Sequence, residues 1–296
     1  MELLRMDADK LKQLLPKRDR YAHKGDFGKL LLVTGSVGFT GAAALAARGA
    51  LRTGAGLITV AVPKCVWPII AAKLDEPMVI PQADRDGRMS VQALEDLLPR
   101  LRQADACMIG PGLGRSEDIT ELVFGLLEHA VCPVVLDADG INAVAQHMDR
   151  LREVTCPLIL TPHDGEFVRL SPGMLPVREA SVRIDRAMSL AEELGCVVLL
   201  KGHRTLITDG KTVYRNETGN PGMATGGSGD VLAGIITSFL GQGLNPLEAA
   251  AAAVWLHGAA ADCAAQSWGE YGLTPTDMID AASRLLKQGC EDICGG

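Results

Sequence analysis

KLLLVTGS (Lys29–Ser36) is followed by GAAALAARGALRT (Gly41–Thr53) and then by LITVAV (Leu57–Val62). The first stretch is an unbroken apolar run of strand length that stops at a glycine. The second is rich in Ala and suits a close-packed helix. The third is another apolar strand. Strand, glycine turn, helix and strand together read as part of a largely parallel sheet. Strands that are apolar throughout, rather than at alternate positions, have both faces covered, as in a parallel sheet between two helix layers.

The same rhythm extends to both sides. Val91–Arg102 reads as an amphipathic helix and Ala104–Gly110 (ADACMIG) as a strand. Ser116 caps a helix running through Glu128. Pro133–Asp137 (PVVLD) and Pro157–Leu160 are strands, Arg178–Leu194 is a helix, and Cys196–Lys201 (CVVLLK) is a strand. Arg204–Thr208 and Thr212–Arg215 form a hairpin around Asp209-Gly210. Asn245-Pro246-Leu247-Glu248 and Thr274-Pro275-Thr276-Asp277 are helix starts, with a cap, a Pro at the first helical position and an acid at the third. The expected architecture is α/β, a three-layer α/β/α sandwich with a mostly parallel central sheet and helices on both faces. A single domain over residues 1–296 is expected, with residues 1–16 an N-terminal extension and 288–296 a tail. No linker or internal repeat interrupts it.

The chain has 296 residues, 47% apolar, enough for a large core. Aromatics are only 4%, so that core is built from Leu, Val, Ile and Ala. The net charge of −7 argues against nucleic-acid or membrane-surface partners. Binding an anionic nucleotide therefore requires a local site of backbone N–H groups and a few cations. Residues 1–5 lack a secretory pattern, and no apolar stretch reaches the roughly 20 residues needed to span a bilayer. Cys65, Cys107, Cys132, Cys156 and Cys196 are scattered like small core hydrophobes, and Cys290 and Cys294 lack a matching ligand pair. A reducing, cytoplasmic location is expected.

Ligands of such sheets bind beyond the carboxyl ends of the strands. The polar and glycine-rich motifs gather there: Gly35-Ser36, Gly110-Pro111-Gly112-Leu113-Gly114, Asp137-Ala138-Asp139, Thr161-Pro162-His163 and Lys201-Gly202. GPGLG alone is weak, and a tight turn explains it as well as a ligand does. Asp137 and Asp139 read as caps for the helix from Ile141.

The sharpest segment is GNPGMATGGSGDVLAG (Gly219–Gly234). A glycine turn entering an apolar helix aims unpaired N–H groups outward, reinforced by the helix dipole. Gly226, Gly227, Ser228 and Gly229 therefore form a candidate anion hole for a phosphoryl group in transfer. Asp230, at the helix start, is placed to take a proton from a substrate hydroxyl; its bland alternative is an acid merely stabilised by the dipole. No Lys-Ser or Lys-Thr follows the glycines, so this is not a Walker loop. The late position, with no strand directly before it, also excludes the dinucleotide-binding fingerprint.

His23-Lys24-Gly25, GPGLG, LDADGIN, LTPHDGE, LLKGH and NPGMATGGSGD occur in the order found in the ADP- or ATP-dependent NAD(P)H-hydrate dehydratases of the ribokinase-like superfamily. The chain resembles that family from about Lys17 to about Leu286. The resemblance implies a ribokinase-like fold and dehydration of the S form of hydrated NADH or NADPH, with ADP or ATP consumed and Mg²⁺ required. Ala42, Gly112, His163 and Asp230 fall on positions that contact the hydrated dinucleotide. Lys201, Gly202, His203, Arg204, Thr205 and Gly229 fall on positions that bind the consumed nucleotide. Asp230 resembles the superfamily's base, and Glu166 resembles in placement the acid that organises Mg²⁺ and phosphates. The family also implies a homotetramer and a functional partner, an epimerase of the hydrated dinucleotide. The N-terminal stretch is too short to hold that epimerase.

Two other functions use the same residues. A ribokinase-type kinase of a vitamin or thiazole alcohol would employ Asp230 and the glycine turn but release a stable phosphoester. A nucleotide-binding protein without chemistry would show a damaged GGSGD turn, and here that turn is intact.

Overall fold

The computed structural model describes residues 3–171 and 179–294, with side chains through residue 287. Helix α1 (Ala8–Leu14) precedes β1 (Lys29–Val33), α2 (Thr40–Arg52), β2 (Leu57–Pro63), α3 (Trp67–Ala71) and β3 (Met78–Gln82). A small hairpin of β4 (Asp84–Arg85) and β5 (Arg88–Met89) leads to α4 (Leu94–Leu101), β6 (Ala106–Ile109), α5 (Glu117–His129) and β7 (Val134–Leu136). Then come α6 (Asp139–Val144), α7 (Met148–Arg152), β8 (Leu158–Leu160), α8 (Asp164–Leu170) and α9 (Ala180–Leu194). Strands β9 (Val197–Leu200), β10 (Leu206–Thr208) and β11 (Val213–Arg215) are followed by α10 (Ser228–Gly241), α11 (Pro246–Gly272) and α12 (Pro275–Cys294).

Nine strands form one sheet in the order β11-β10-β9-β8-β7-β6-β1-β2-β3. All neighbours from β3 through β9 pair in parallel. Strand β10 runs antiparallel to β9 and β11, as the Asp209-Gly210 hairpin requires. The Asp209 carboxylate closes that turn by accepting from the N–H groups of Lys211 and Thr212. Successive side chains of β1 go to opposite faces. Leu30 and Leu32 pack with α2, α10 and α11, while Leu31 and Val33 pack with α4 and α5. The two buried clusters are the two helix–sheet interfaces of the expected sandwich.

The Ala-rich stretches are small for a packing reason. A Cβ on Gly234 of α10 would sit 2.1 Å from the Ala46 carbonyl of α2, and one on Gly49 would sit 2.8 Å from the Val231 carbonyl. The two backbones touch, so α10 cannot slide along α2, and its first turn is fixed relative to the sheet. Two expected caps form: Ser116 Oγ accepts from Ile119 N and Asn245 Oδ1 from Glu248 N. At the start of α12 the acid does the capping, with Asp277 Oδ2 accepting from both Thr274 N and Thr274 Oγ1.

Several features go beyond the sequence reading. Strand β3 carries Pro81 and lies at the sheet edge, where a missing donor is tolerated. Leu4, in the stretch expected to be an extension, exchanges hydrogen bonds with Val213 and Arg215 along β11, and Met6 and Leu11 are buried. Cys65 is exposed, contrary to its reading as a core residue, because it follows Pro63 and Lys64 out of β2; Cys107, Cys132, Cys156 and Cys196 are buried as expected. Arg178 and the side chains of Cys290 and Cys294 lie outside the described residues. Among the described residues, no helix is long and apolar enough to cross a membrane.

Candidate active site

The turns at the carboxyl ends of the parallel strands are tied to one another. Gly35 N and Thr34 Oγ1 donate to the Pro111 carbonyl at 2.9 and 2.5 Å, and Ser36 Oγ donates to the Gly112 carbonyl at 2.7 Å. The GPGLG turn rests directly on the LDADG turn: a Cβ on Gly110 would sit 1.8 Å from the Asp137 carbonyl.

Ala138, between Asp137 and Asp139, has φ 51° and ψ −114°. A non-glycine residue there stores strain of about 1–3 kcal/mol. The two carboxylates it separates go different ways. Asp137 is 1% exposed and accepts from Thr161 Oγ1 at 2.6 Å and from Lys201 Nζ at 2.7 Å. Asp139 accepts from Gly114 N at 2.9 Å and Asn142 Nδ2 at 3.1 Å. The expectation that both cap the following helix is therefore corrected. The cap position of α6 is Ala138, with no side-chain bond, because the half-buried Lys201 ammonium and the Thr161 hydroxyl claim Asp137.

His163 caps α8. Its Nδ1 accepts from Gly165 N at 2.9 Å and Glu166 N at 3.3 Å, and Glu166 Oε2 accepts from His163 N at 2.9 Å, a reciprocal cap for α8. Its ring stays more than half exposed at the strand edge. Glu166 is buried, with Oε2 3.8 Å from Lys201 Nζ. Burial alone would lower the Lys201 pKa, but Asp137, Glu166 and Asp230 outweigh it and raise the pKa overall, so the ammonium stays charged. Arg183 holds the Lys201 carbonyl at 3.2 Å.

Asp230 lies across from this cluster in the first turn of α10. Burial, reinforced by the charges of Asp137 and Asp139 and opposed by Lys201, pushes its carboxyl up to about 6. Gly229 is next to the same groups: a Cβ there would be 3.6 Å from Lys201 Nζ and 4.0 Å from Asp137 Oδ2. Gly227 enters the helix at φ 97°, and a Cβ on Gly226 would meet nothing within 4 Å. Among the described residues, the N–H groups of Gly226, Gly227, Gly229 and Asp230 donate to no protein acceptor. Ser228 departs from the expected anion hole. Its N–H donates to the Thr225 carbonyl at 3.4 Å, and its hydroxyl turns inward, 3.5 Å from His257 Nε2. His257 is buried, and burial lowers its pKa to about 4, so it is neutral there.

The expected residues thus fall into three groups. Asp230, Gly229 and Lys201 converge on the buried acids. Ala42 and Gly112 meet at a second patch beside Phe39: a Cβ on Gly112 would sit 3.1 Å from Ala42 Cβ and 2.8 Å from Phe39 Cβ. Gly202, His203, Arg204 and Thr205 form a turn in which Thr205 Oγ1 donates to the Gly202 carbonyl, while Arg204 pairs with Glu217 at 3.4 Å. His23-Lys24-Gly25 lies before β1, at the opposite edge of the sheet. Asp137, Thr161, Arg183 and His257 belong to the constellation without having been assigned to it. For Asp137 the available signal was an acid ending an otherwise apolar strand.

Among the described residues, no three His, Cys, Asp or Glu side chains gather into a metal cage. Mg²⁺ bound mainly by phosphate and water needs only one or two carboxylates. Glu166 Oε1, whose one contact among the described residues is His163 Nε2 at 3.4 Å, fits that role. A separate cavity of about 950 Å³ opens between α5, α6, α7 and α8 and borders these turns only at Gly114 and Arg115.

A family model for NAD(P)H-hydrate dehydratase matches residues 30–284. The chain is 45% identical over 282 residues to the bifunctional NAD(P)H-hydrate repair enzyme of Moorella thermoacetica, covering 94% of this chain and 53% of that protein. It is thus similar to about half the length of that relative. It is 38% identical over 272 residues to the ADP-dependent (S)-NAD(P)H-hydrate dehydratase of Neisseria meningitidis, covering 89% of this chain and 86% of that one. The ADP/ATP-dependent NAD(P)H-hydrate dehydratase of Bacillus subtilis, co-crystallised with ATP and Mg²⁺, superposes with a TM-score of 0.81 at 32% identity, covering 98% of this chain and 99% of that one.

Proposed function

The chain belongs to the NAD(P)H-hydrate dehydratase family, and from that premise we propose that it returns hydrated NADH or NADPH to the reduced cofactor at the expense of ADP. Hydroxide leaves carbon poorly and phosphate leaves well. In this reading the ring hydroxyl attacks the terminal phosphorus of ADP and gives its proton to Asp230. The new oxygen–phosphorus bond forms as the bond to AMP breaks. The ring nitrogen's electron pair then expels phosphate, and loss of the neighbouring ring proton restores the double bond. The products are NADH or NADPH, AMP and phosphate.

The observation that carries the reading is the meeting of Asp230, its carboxyl raised to about 6, with the unpaired N–H groups of Gly226, Gly227 and Gly229 and the charged Lys201. The amides face where charge develops on the migrating phosphoryl group, and Lys201 adds a point charge. Ala42, Gly112 and His163 hold the hydrated ring, and the turn from Gly202 to Thr205 holds the nucleotide. Mg²⁺, when bound, neutralises phosphate charge, with Glu166 as its protein contact. Dehydration by a homotetramer, paired with a separate epimerase, completes the proposal.

The test incubates the protein with the hydrated dinucleotide and each nucleotide in turn. Recovery of reduced-nicotinamide absorbance with ADP supports the reading. Absence of recovery, together with a stable phosphoester made from another alcohol, favours the kinase.

A further inference from the structure

The hairpin of β4 and β5 has no role in the function proposed above, yet it leans over the site. Its tip, Asp86 at φ 50° and Gly87 at φ 78°, docks on the loop after β1, where Val37 N donates to the Gly87 carbonyl at 2.9 Å. From that tip Arg88 reaches across the GPGLG turn: a Cβ on Gly114 would sit 2.7 Å from Arg88 Nε and 2.9 Å from its Cδ. Gly114 in turn donates to Asp139, one of the acids that raise the Asp230 carboxyl, and Gly112 lies two residues away beside Ala42 and Phe39.

Arg88 is only partly exposed, and among the described residues its guanidinium makes no hydrogen bond, ion pair or ring contact. Its neighbours are paired: Arg85 with Asp118 at 3.4 Å and Arg115 with Asp139 at 3.7 Å. A guanidinium carries five donors and is always charged, so leaving one unpartnered in a half-buried position is costly without an anion to meet it. Phe39, 56% exposed, presents an apolar ring on the same patch.

We infer that Arg88 binds the diphosphate of the hydrated dinucleotide and that the hairpin carrying it is part of the substrate site. This rests on the dehydratase reading. The diphosphate is one ribose from the reacting ring, whereas the 2′-phosphate of NADPH sits on the second ribose, on the far side of the diphosphate. An arginine lying over Gly114, two residues along the turn from the Gly112 patch, therefore meets the nearer group. Arginine suits it because two N–H groups pair with two phosphate oxygens.

The test compares the full-length chain with Arg88→Gln and Arg88→Lys. Loss of one charged hydrogen-bonding partner should raise KM for the hydrated dinucleotide roughly ten- to hundredfold. The rise should be equal for the NADH and NADPH forms, with kcat, KM for ADP and melting temperature unchanged and partial recovery in Arg88→Lys. Calorimetric titration with NADPH, at saturating ADP to fill the other nucleotide site, should show the same weakening. An unchanged KM and NADPH affinity in Arg88→Gln overturns the inference, and so does a rise confined to the NADPH hydrate. If the wild type recovers no NADH while Arg88→Gln still weakens NADPH binding, the dehydration reading fails and the assignment of Arg88 stands.

Discussion

Lys201 Nζ lies 2.7 Å from Asp137 Oδ1, although 64 residues separate the two in sequence. This largely buried pair, with Asp137 fully enclosed and Lys201 partly so, joins the end of β9 to the end of β7 and faces the first turn of α10. Breaking a buried pair from one side is expected to cost about 3–5 kcal/mol, because the remaining charge is left without its partner. Asp137→Asn should therefore lower the melting temperature sharply. The double variant Asp137→Asn/Lys201→Met should regain much of the loss. Thermal unfolding of all four proteins gives the coupling, and additive losses would show that the pair carries no such energy.

Asp230→Asn tests the base. Turnover should fall roughly 10²–10⁴-fold, the range that a positioned proton acceptor contributes. ADP affinity, measured calorimetrically, should persist. Unchanged turnover would remove Asp230 from the chemistry.

The same carboxyl sets a pH dependence. Asp230 must be ionised to accept a proton, so kcat/KM should fall about tenfold per unit as pH drops below about 6. An inflection near 4, where an ordinary carboxylate titrates, would contradict the raised value. The stability linkage has the opposite sense. Between the ordinary carboxylate value and about 6, the folded state holds the proton and the unfolded state does not. The stabilisation from Asp230 is thus complete at low pH and is lost as pH rises through about 6. Asp230→Asn should melt higher than the wild type at pH 8, and the difference should vanish at pH 3.

Two glycines of the late segment should respond differently. A methyl on Gly234 would meet the Ala46 carbonyl at 2.1 Å, so Gly234→Ala should destabilise by about 1–3 kcal/mol through overpacking. A methyl on Gly226 meets nothing within 4 Å, so Gly226→Ala should leave the melting temperature unchanged. Its activity should nevertheless drop on the order of 10²-fold, because the methyl intrudes where the phosphoryl group must sit. Equal effects on stability and rate in both variants would refute the distinction.

The contrast between these positions explains what was legible in the sequence. Apolar runs such as KLLLVT, and the glycine turn before Asp230, announce themselves locally, because strand burial and helix starts depend on neighbouring residues. The Asp137–Lys201 pair depends on β7, β8 and β9 lying side by side, an order that no local signal carries. Asp137 read as a cap because an acid before a helix usually is one. Ser228 read as part of the anion hole because its turn is glycine-rich, whereas its inward rotation follows from His257 on α11. Arg88 sits on two-residue strands, too short for periodicity to register.

The central claim is that the ring oxygen departs as phosphate. Hydrated NADH labelled with heavy-isotope oxygen at the ring hydroxyl, turned over with ADP, tests it most directly. The account predicts the label in inorganic phosphate, in one-to-one ratio with AMP and recovered NADH. Label released into water, with unlabelled phosphate, would contradict it.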